Sequence, residues 1–389
     1  MNDEPQRHVG RPTVIFAMEW VPQYRQEFYR RLRHELDHRG IEMRLVHGDP
    51  PASRRGRKDA RVIDWAEFVP NRLWTIRGLE LTLQPILGRL RKADLVVLQQ
   101  ETGLVLNYAM FVLSRLGGPL VALWGHGHNF NPLEANGPAE RIKSTVTKWA
   151  DWVFAYTERS RQVFQSIGVR PERITVVQNS LDTSDIDHPS DPMSPEIVDL
   201  VAELTATDAT VGWIVSALDR WKRVPFLLEI LDAVADRIDN FHFLVLGAGD
   251  DDAVLRNGAE SRPWLHVLGP RFGADKAALG RLAAVTIHPG LVGLHVIDSF
   301  ATQTPMVIAD LPYHSHEVGY LTDDNSLTLP PDVDAERYAG EVVDLLGDEK
   351  RLSELRVGCR RAAEFYTLDA MVDNFADGVE SALALRAGR

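Results

Sequence analysis

The sequence predicts an α/β protein made of two Rossmann-like, doubly wound domains that face each other across a cleft. Three observations lead there. Short apolar runs of strand length alternate with amphipathic helical stretches along most of the chain. The alternation breaks at a proline- and acid-rich stretch, residues 185–195 (DIDHPSDPMSP), and then restarts. Glycine-bearing turns follow several apolar runs, at the strand ends where such sheets bind their ligands.

The elements follow in order. Residues 13–17 (TVIFA) form the first strand, and a loop leads into an amphipathic helix near 26–39. Phe28, Leu32 and Leu36 make its buried stripe, with Arg30, Arg31 and Arg33 largely elsewhere on its surface. Residues 41–46 are the second strand, and 50–58 (PPASRRGRK) read as a polar, basic loop. The runs 95–98 (LVVL) and 120–123 (LVAL) are buried strands separated by a helix around 105–116; 152–155 (WVFA) and 174–177 (ITVV) continue the pattern. After the break come strands at 211–215, 241–246, 265–268, 284–287 and 306–308, with a helix between the first two. The expected division is a first domain over 1–184, a linker over 185–208, a second domain over 209–366 and a final helix within 367–389.

A chain of 389 residues suffices for two cores, and 44% apolar with 25% charged residues is ordinary for a globular protein. The single cysteine, Cys359, excludes a disulfide framework and a multi-cysteine zinc site. The first twelve residues (MNDEPQRHVGRP) contain no apolar signal core, and no segment approaches the roughly 20 apolar residues of a membrane span. The expectation is therefore a cytoplasmic protein. Its net charge of -12 hides an asymmetry: residues 1–180 carry 26 Lys and Arg against 19 Asp and Glu, a net +7, which leaves -19 for the remainder. A cationic half suits peripheral contact with an anionic membrane surface, and the plain alternative is a solvated arginine-rich surface. No aromatic-plus-basic recognition motif is present, so no nucleic-acid partner is expected.

The densest motif is 288–310 (HPGLVGLHVIDSFATQTPMVIAD). Pro289 and Gly290 stop an apolar run, Gly293 allows close backbone approach, and Leu294, Ile297, Phe300 and Ala301 recur at helical spacing. The turn should aim backbone N–H groups around Gly290, Leu291, Val292, Gly293 and Leu294 at an anion above the sheet, with Asp298 just beyond. Residues 211–222 (VGWIVSALDRWK) give a strand, a turn holding Ser216 and Arg220, and Lys222 opening the next helix, where a cation meets a phosphate. Residues 243–249 (FLVLGAG) contain a Gly-x-Gly turn, but Asp252 stands where the third glycine of a dinucleotide fingerprint would fall. Residues 124–129 (WGHGHN) place His126 and His128 at the rim of the cleft; a metal-ligand role lacks a clear carboxylate or cysteine companion, and a purely structural role is the other alternative. Tyr24 and Arg25 follow the first strand and could touch a second substrate, or Arg25 could be an exposed helix-start residue. Asp250, Asp251 and Asp252 read as an acidic surface loop, and 314–317 (HSHE) as local structure.

These motifs resemble the family 4 glycosyltransferases. Residues 288–310 are similar to the family's Glu-Gly-Phe-Gly turn and the helix carrying Glu-Ala, and 211–222 to its Gly-Arg-Leu-x-x-x-Lys segment. Residues 151–183 resemble its last first-domain strand, helix and the strand ending in Asn-x-x-Asp, here Asn179 and Asp182, taken as structural caps. The resemblance covers 14 to about 383 and implies the GT-B architecture, with a last helix crossing back to the first domain. It implies a sugar transfer from a nucleotide-sugar co-substrate to an acceptor hydroxyl (glycan, lipid-linked or small-molecule) with retention of configuration and no required metal or other cofactor. Lys222, helped by Arg220 where Ala217 replaces the family's arginine, would hold the diphosphate; Asp298 would accept from the ribose; His126 would hydrogen-bond a hydroxyl or help a proton leave. Tyr24, Arg25 and His128 would meet the acceptor. The family's first acid is replaced by Gly290, and the usual Gly-Gly pair is missing from 19–25. A non-catalytic sugar-nucleotide-binding protein and a nucleotide-sugar epimerase remain as alternatives.

Overall fold

A computed structural model describes residues 10–50, 63–76, 79–128, 138–189 and 191–387. The start of the chain and residues 51–58 of the expected basic loop lie outside the described residues. The first half runs β1 (Thr13–Met18), β2 (Glu42–His47), β3 (Glu67–Phe68), an antiparallel hairpin of β4 (Arg72–Ile76) and β5 (Leu79–Leu83), then β6 (Leu95–Gln99), β7 (Leu120–Gly125), β8 (Trp152–Ala155) and β9 (Ile174–Val176). All but the hairpin form one parallel sheet in the order β3-β2-β1-β6-β7-β8-β9. The second half contributes β10 (Thr210–Val215), β11 (Phe241–Leu246), β12 (Leu265–Gly269), β13 (Val285–His288), β14 (Met306–Ala309) and β15 (Ser326–Leu329). They form a parallel sheet in the order β12-β11-β10-β13-β14-β15. In both sheets the strand order reverses beside the first strand, which opens a crevice at the carboxyl ends there.

Burial on both faces explains the near-continuous apolar strands. One face of the first sheet packs against the helix Gln26–His38, whose Phe28, Tyr29, Leu32 and Leu36 are buried as its periodicity requires. The final helix, Leu368–Ala387, covers the same face. Its Phe375 sits among Phe16, Phe28, Trp124 and Phe154, with ring centroids 5.5, 5.5, 5.2 and 4.0 Å away. The stretch 185–208, expected as a linker, contains the helix Pro195–Ala206. Its Ile197 and Leu204 are buried with Trp213 and Leu244 of the second sheet, because IVDLVAEL carries an apolar stripe at helical spacing.

Two glycines set how the second sheet's loops meet. A Cβ on Gly247 would lie 1.8 Å from the Ser216 carbonyl oxygen, and one on Gly249 2.2 Å from that of Leu218. The Gly-x-Gly turn after β11 thus lets the loop after β10 lie directly against it, at the edge of the crevice.

Candidate active site

A cavity of about 330 Å³ opens where β10 and β13 end. Ser216, Lys222, Arg271, Lys276, His288, His295 and Asp298 are among its polar lining, with Gly293 and Leu294 at one side. Lys222 closes a short 3₁₀ turn, Arg220–Lys222, whose start is capped by the Asp219 carboxylate accepting from the Trp221 N–H at 3.1 Å. The Lys222 ammonium is largely buried and donates to the Leu291 carbonyl at 2.5 Å, while the Leu291 N–H donates to the Trp221 carbonyl at 2.8 Å. These two bonds zip the turn to the loop after β13.

Gly290 lies inside that zip. A Cβ there would stand 2.5 Å from the Cα, carbonyl carbon and carbonyl oxygen of Lys222, so backbone occupies the space a side chain would need. Gly290 and Ala217 differ in this respect, since Ala217 lines the cavity and Gly290 does not. Asp298 is buried, and its carboxylate accepts from Lys276 Nζ at 2.7 Å.

Two details depart from the sequence reading. The N–H groups of Leu291 and Val292 do not face an anion: the first is bonded to Trp221 and the second donates to His314 Nδ1 at 3.0 Å. Only the Gly293–Leu294 part of that turn lines the cavity. Arg220 does not replace the absent arginine either. It is exposed, lies over the Trp221 ring at 4.7 Å and is not part of the cavity wall. The other cations are Lys276 and Arg271, the latter paired with Glu196. The sequence offered no motif for either, because their helix and loop join the site only through the sheet order.

A second, larger cavity of about 680 Å³ lies between the two sheets. Glu19, Gln99, Glu101, His126, His128, Lys143 and Tyr156 line it from the first half, Ser315 and Glu317 from the second. Tyr24, Gly293 and Leu294 line both cavities, so the two meet there. His126 stacks on Tyr156 with centroids 4.0 Å apart. Burial, helped by the nearby Lys143 charge, pushes its pKa well below the ordinary histidine value. Such an imidazole is a better hydrogen-bonding group than proton carrier. His128 sits 4.8 Å from His316, ring to ring, and its basicity is lowered in the same direction.

Arg25 is not an exposed helix-start residue; it is buried in the wall of the larger cavity. It is 5% exposed and donates to Asn179 Oδ1 and, at 3.1 Å, to the Ser180 carbonyl, with its guanidinium 5.3 Å from the Trp124 ring centre. Asn179 Nδ2 donates in turn to Glu317 at 2.5 Å, and Ser315 Oγ donates to the same carboxylate. Asn179 therefore joins the halves of the molecule, where the sequence suggested only a cap. Asp182 pairs with Arg31 at 3.2 Å. His316 Nδ1 and Ser160 Oγ make a second link at 2.7 Å. The segment 314–317, expected as local structure throughout, is so at His314 but forms part of the cleft wall at Ser315 and Glu317. Asp252 starts a helix and pairs with Arg256 at 2.7 Å, outside both cavities.

Residues 26–185 match the family described as Glycosyltransferase Family 4, and residues 209–348 that described as Glycosyl transferases group 1. The chain belongs to the family 4 glycosyltransferases. A curated relative is the phosphatidyl-myo-inositol mannosyltransferase of Mycolicibacterium smegmatis, 28% identical over 148 residues, or 37% of this chain. That match spans about a third of the relative's length, 36%. Among solved structures, Anabaena HepE in complex with UDP-glucose superposes with a TM-score of 0.67 at 16% identity, over 95% of this chain and 99% of HepE. Sucrose-phosphate synthase from Thermosynechococcus elongatus gives 0.67 at 14% identity, over 96% and 100%. At these identities the likeness is one of fold, and it establishes the GT-B architecture for this glycosyltransferase.

Proposed function

We propose that this glycosyltransferase moves a sugar from a nucleotide-sugar donor in the smaller cavity to an acceptor hydroxyl in the larger one. The observation that carries the reading is their junction at Tyr24, Gly293 and Leu294, which puts a donor sugar and an acceptor within reach of each other. Three cations, Lys222, Lys276 and Arg271, line the donor cavity against one carboxylate, Asp298, a balance suited to a diphosphate. Lys222 meets the diphosphate, and the charge that develops on the leaving group is carried by side chains without a required metal. Asp298 accepts from the donor's ribose, beside Lys276. HepE, solved with UDP-glucose, supports a nucleotide-sugar donor by likeness of fold.

His126 and His128 hydrogen-bond acceptor hydroxyls, and Tyr24 covers the junction. The acceptor is a glycan, a lipid-linked glycan or a small polyhydroxyl compound, and the family resemblance supports retention at the anomeric carbon. A thermal-shift screen against UDP-, GDP- and ADP-sugars tests the donor assignment, because specific binding raises the melting temperature. No shift with any of them overturns it. Turnover of the stabilising donor with and without acceptor then separates transfer from simple binding or epimerisation, and product NMR reads the anomeric configuration.

Among the described residues no helix is long and apolar enough to cross a membrane. We place the protein in the cytoplasm with its cationic first half on anionic lipid. Co-sedimentation with phosphatidylserine vesicles should be seen at low salt and fade as salt rises; no binding at low salt ends that idea.

A further inference from the structure

The donor cavity lacks the arginine that the family resemblance places at Ala217, and Arg220 does not enter to replace it. A different group stands there. His295 opens the short helix His295–Ala301, three residues before Asp298 and hence on the same helical face. It is 6% exposed and lines the cavity. The Val215 N–H, at the end of β10 and two residues before Ala217, donates to its Nδ1 at 3.3 Å. A ring nitrogen that accepts carries no proton, so the neutral imidazole bears its hydrogen on Nε2. Nε2 is buried and has no hydrogen-bond partner among the described residues. A buried, unpartnered donor costs free energy that a ligand oxygen would recover.

We propose that His295 is a donor-binding residue whose Nε2–H donates to a diphosphate oxygen of the nucleotide, in the place of the missing arginine. This rests on the nucleotide-sugar reading of the cavity. The diphosphate then lies between Lys222 and His295, with the ribose toward Asp298. A pure hydrogen-bond donor matches the diphosphate, which only accepts, whereas the carboxylate of Asp298 matches hydroxyls that donate. Burial, opposed by the nearby Asp298 charge, takes the His295 pKa down to about 4, so the ring remains neutral at physiological pH. The contact therefore recognises phosphate oxygens by direction without adding a fixed charge.

The test is calorimetric titration of the full chain with UDP, GDP and ADP, and with the corresponding nucleosides. His295→Asn keeps an oxygen where Nδ1 accepts from Val215 but has no donor at Nε2. His295→Gln extends an amide N–H toward the Nε2 position. The Asn variant should bind the preferred diphosphate about tenfold more weakly, with its affinity for the nucleoside unchanged, and the Gln variant should recover most of the loss. Equal diphosphate affinity in wild type and the Asn variant overturns the proposal, as does a loss of the same size for the nucleoside. Melting curves of the unliganded variants check folding. If only the Gln variant folds, a wild-type preference for diphosphate over nucleoside supports the contact and a lost preference overturns it. If wild type binds none of the three diphosphates, the nucleotide-sugar reading itself falls, and the role of His295 with it.

Discussion

The two cavities are built by different means. The smaller cavity, the proposed donor site, is shaped by backbone: Gly247, Gly249 and Gly290 let loops touch where a Cβ would overlap, and the Lys222–Leu291 and Leu291–Trp221 bonds fasten them. The cleft is shaped by side chains that reach across it, through the chain Arg25–Asn179–Glu317 and the pair Ser160–His316. The first construction fixes the position of a ligand within one sheet. The second decides how the halves of the molecule meet. Damage to one should therefore be read in nucleotide affinity, and damage to the other in stability and acceptor use.

The largest expected effect tests the donor side. Lys222→Ala removes the cation best placed to stabilise the leaving diphosphate, and turnover should fall about 10²- to 10³-fold, the usual cost of losing one such group. Near wild-type turnover in a donor-consumption assay would remove Lys222 from the chemistry.

Next comes a direct contrast of the two constructions. Gly290→Ala places a Cβ against the Lys222 backbone, so the zipped loops must separate. Overpacking of this kind costs about 1–3 kcal/mol, and nucleotide affinity should fall with stability. Asn179→Ala leaves Arg25 and Glu317 short of buried partners and should cost a similar 1–3 kcal/mol. Here nucleotide affinity should hold, because none of the three residues lines the donor cavity. Urea melts and nucleotide titrations on both variants give the comparison. If Asn179→Ala weakens nucleotide binding as much as Gly290→Ala does, the two regions are not separable.

The same contrast governs what could be read from the sequence. The strands were legible because burial on both faces leaves plain apolar runs, and the turn at 288–298 because glycine and proline punctuate it. Lys222 and Asp298 stood at recognisable spacing from those turns, and the structure places both in one cavity. Lys276 and Arg271 were not legible, since the order of β11, β12 and β10 in the sheet brings them to the site and no local pattern encodes that. Arg25 next to Asn179, 154 positions away, is the same case in the cleft. The helix at 195–206 was missed for another reason: the prolines beside it marked the stretch as a connection, although its apolar spacing is helical. The direction of Arg220 is not legible either: its exposed side chain lies over Trp221, outside the cavity wall, and no local pattern encodes that.

The smallest effect is a pH dependence, and it separates the two regions again. Burial takes His295 down to about 4 and His316 down to about 3, against 6.5 for the free side chain. In the unfolded chain both titrate near 6.5, so between that pH and about 4 the unfolded state binds more protons. Stability is therefore at its full value above pH 6.5 and is lost as pH falls, at up to about 1.4 kcal/mol per pH unit for each such histidine. Replacing either histidine with asparagine should remove its share of that slope in urea melts taken from pH 7 to pH 4.5. Only the His295 variant should also weaken nucleotide binding at pH 7, since His316 belongs to the contact with Ser160. An unchanged slope in the His316 variant would mean that the ring is solvated when folded. The Ser160–His316 pair would then not be part of what holds the halves together.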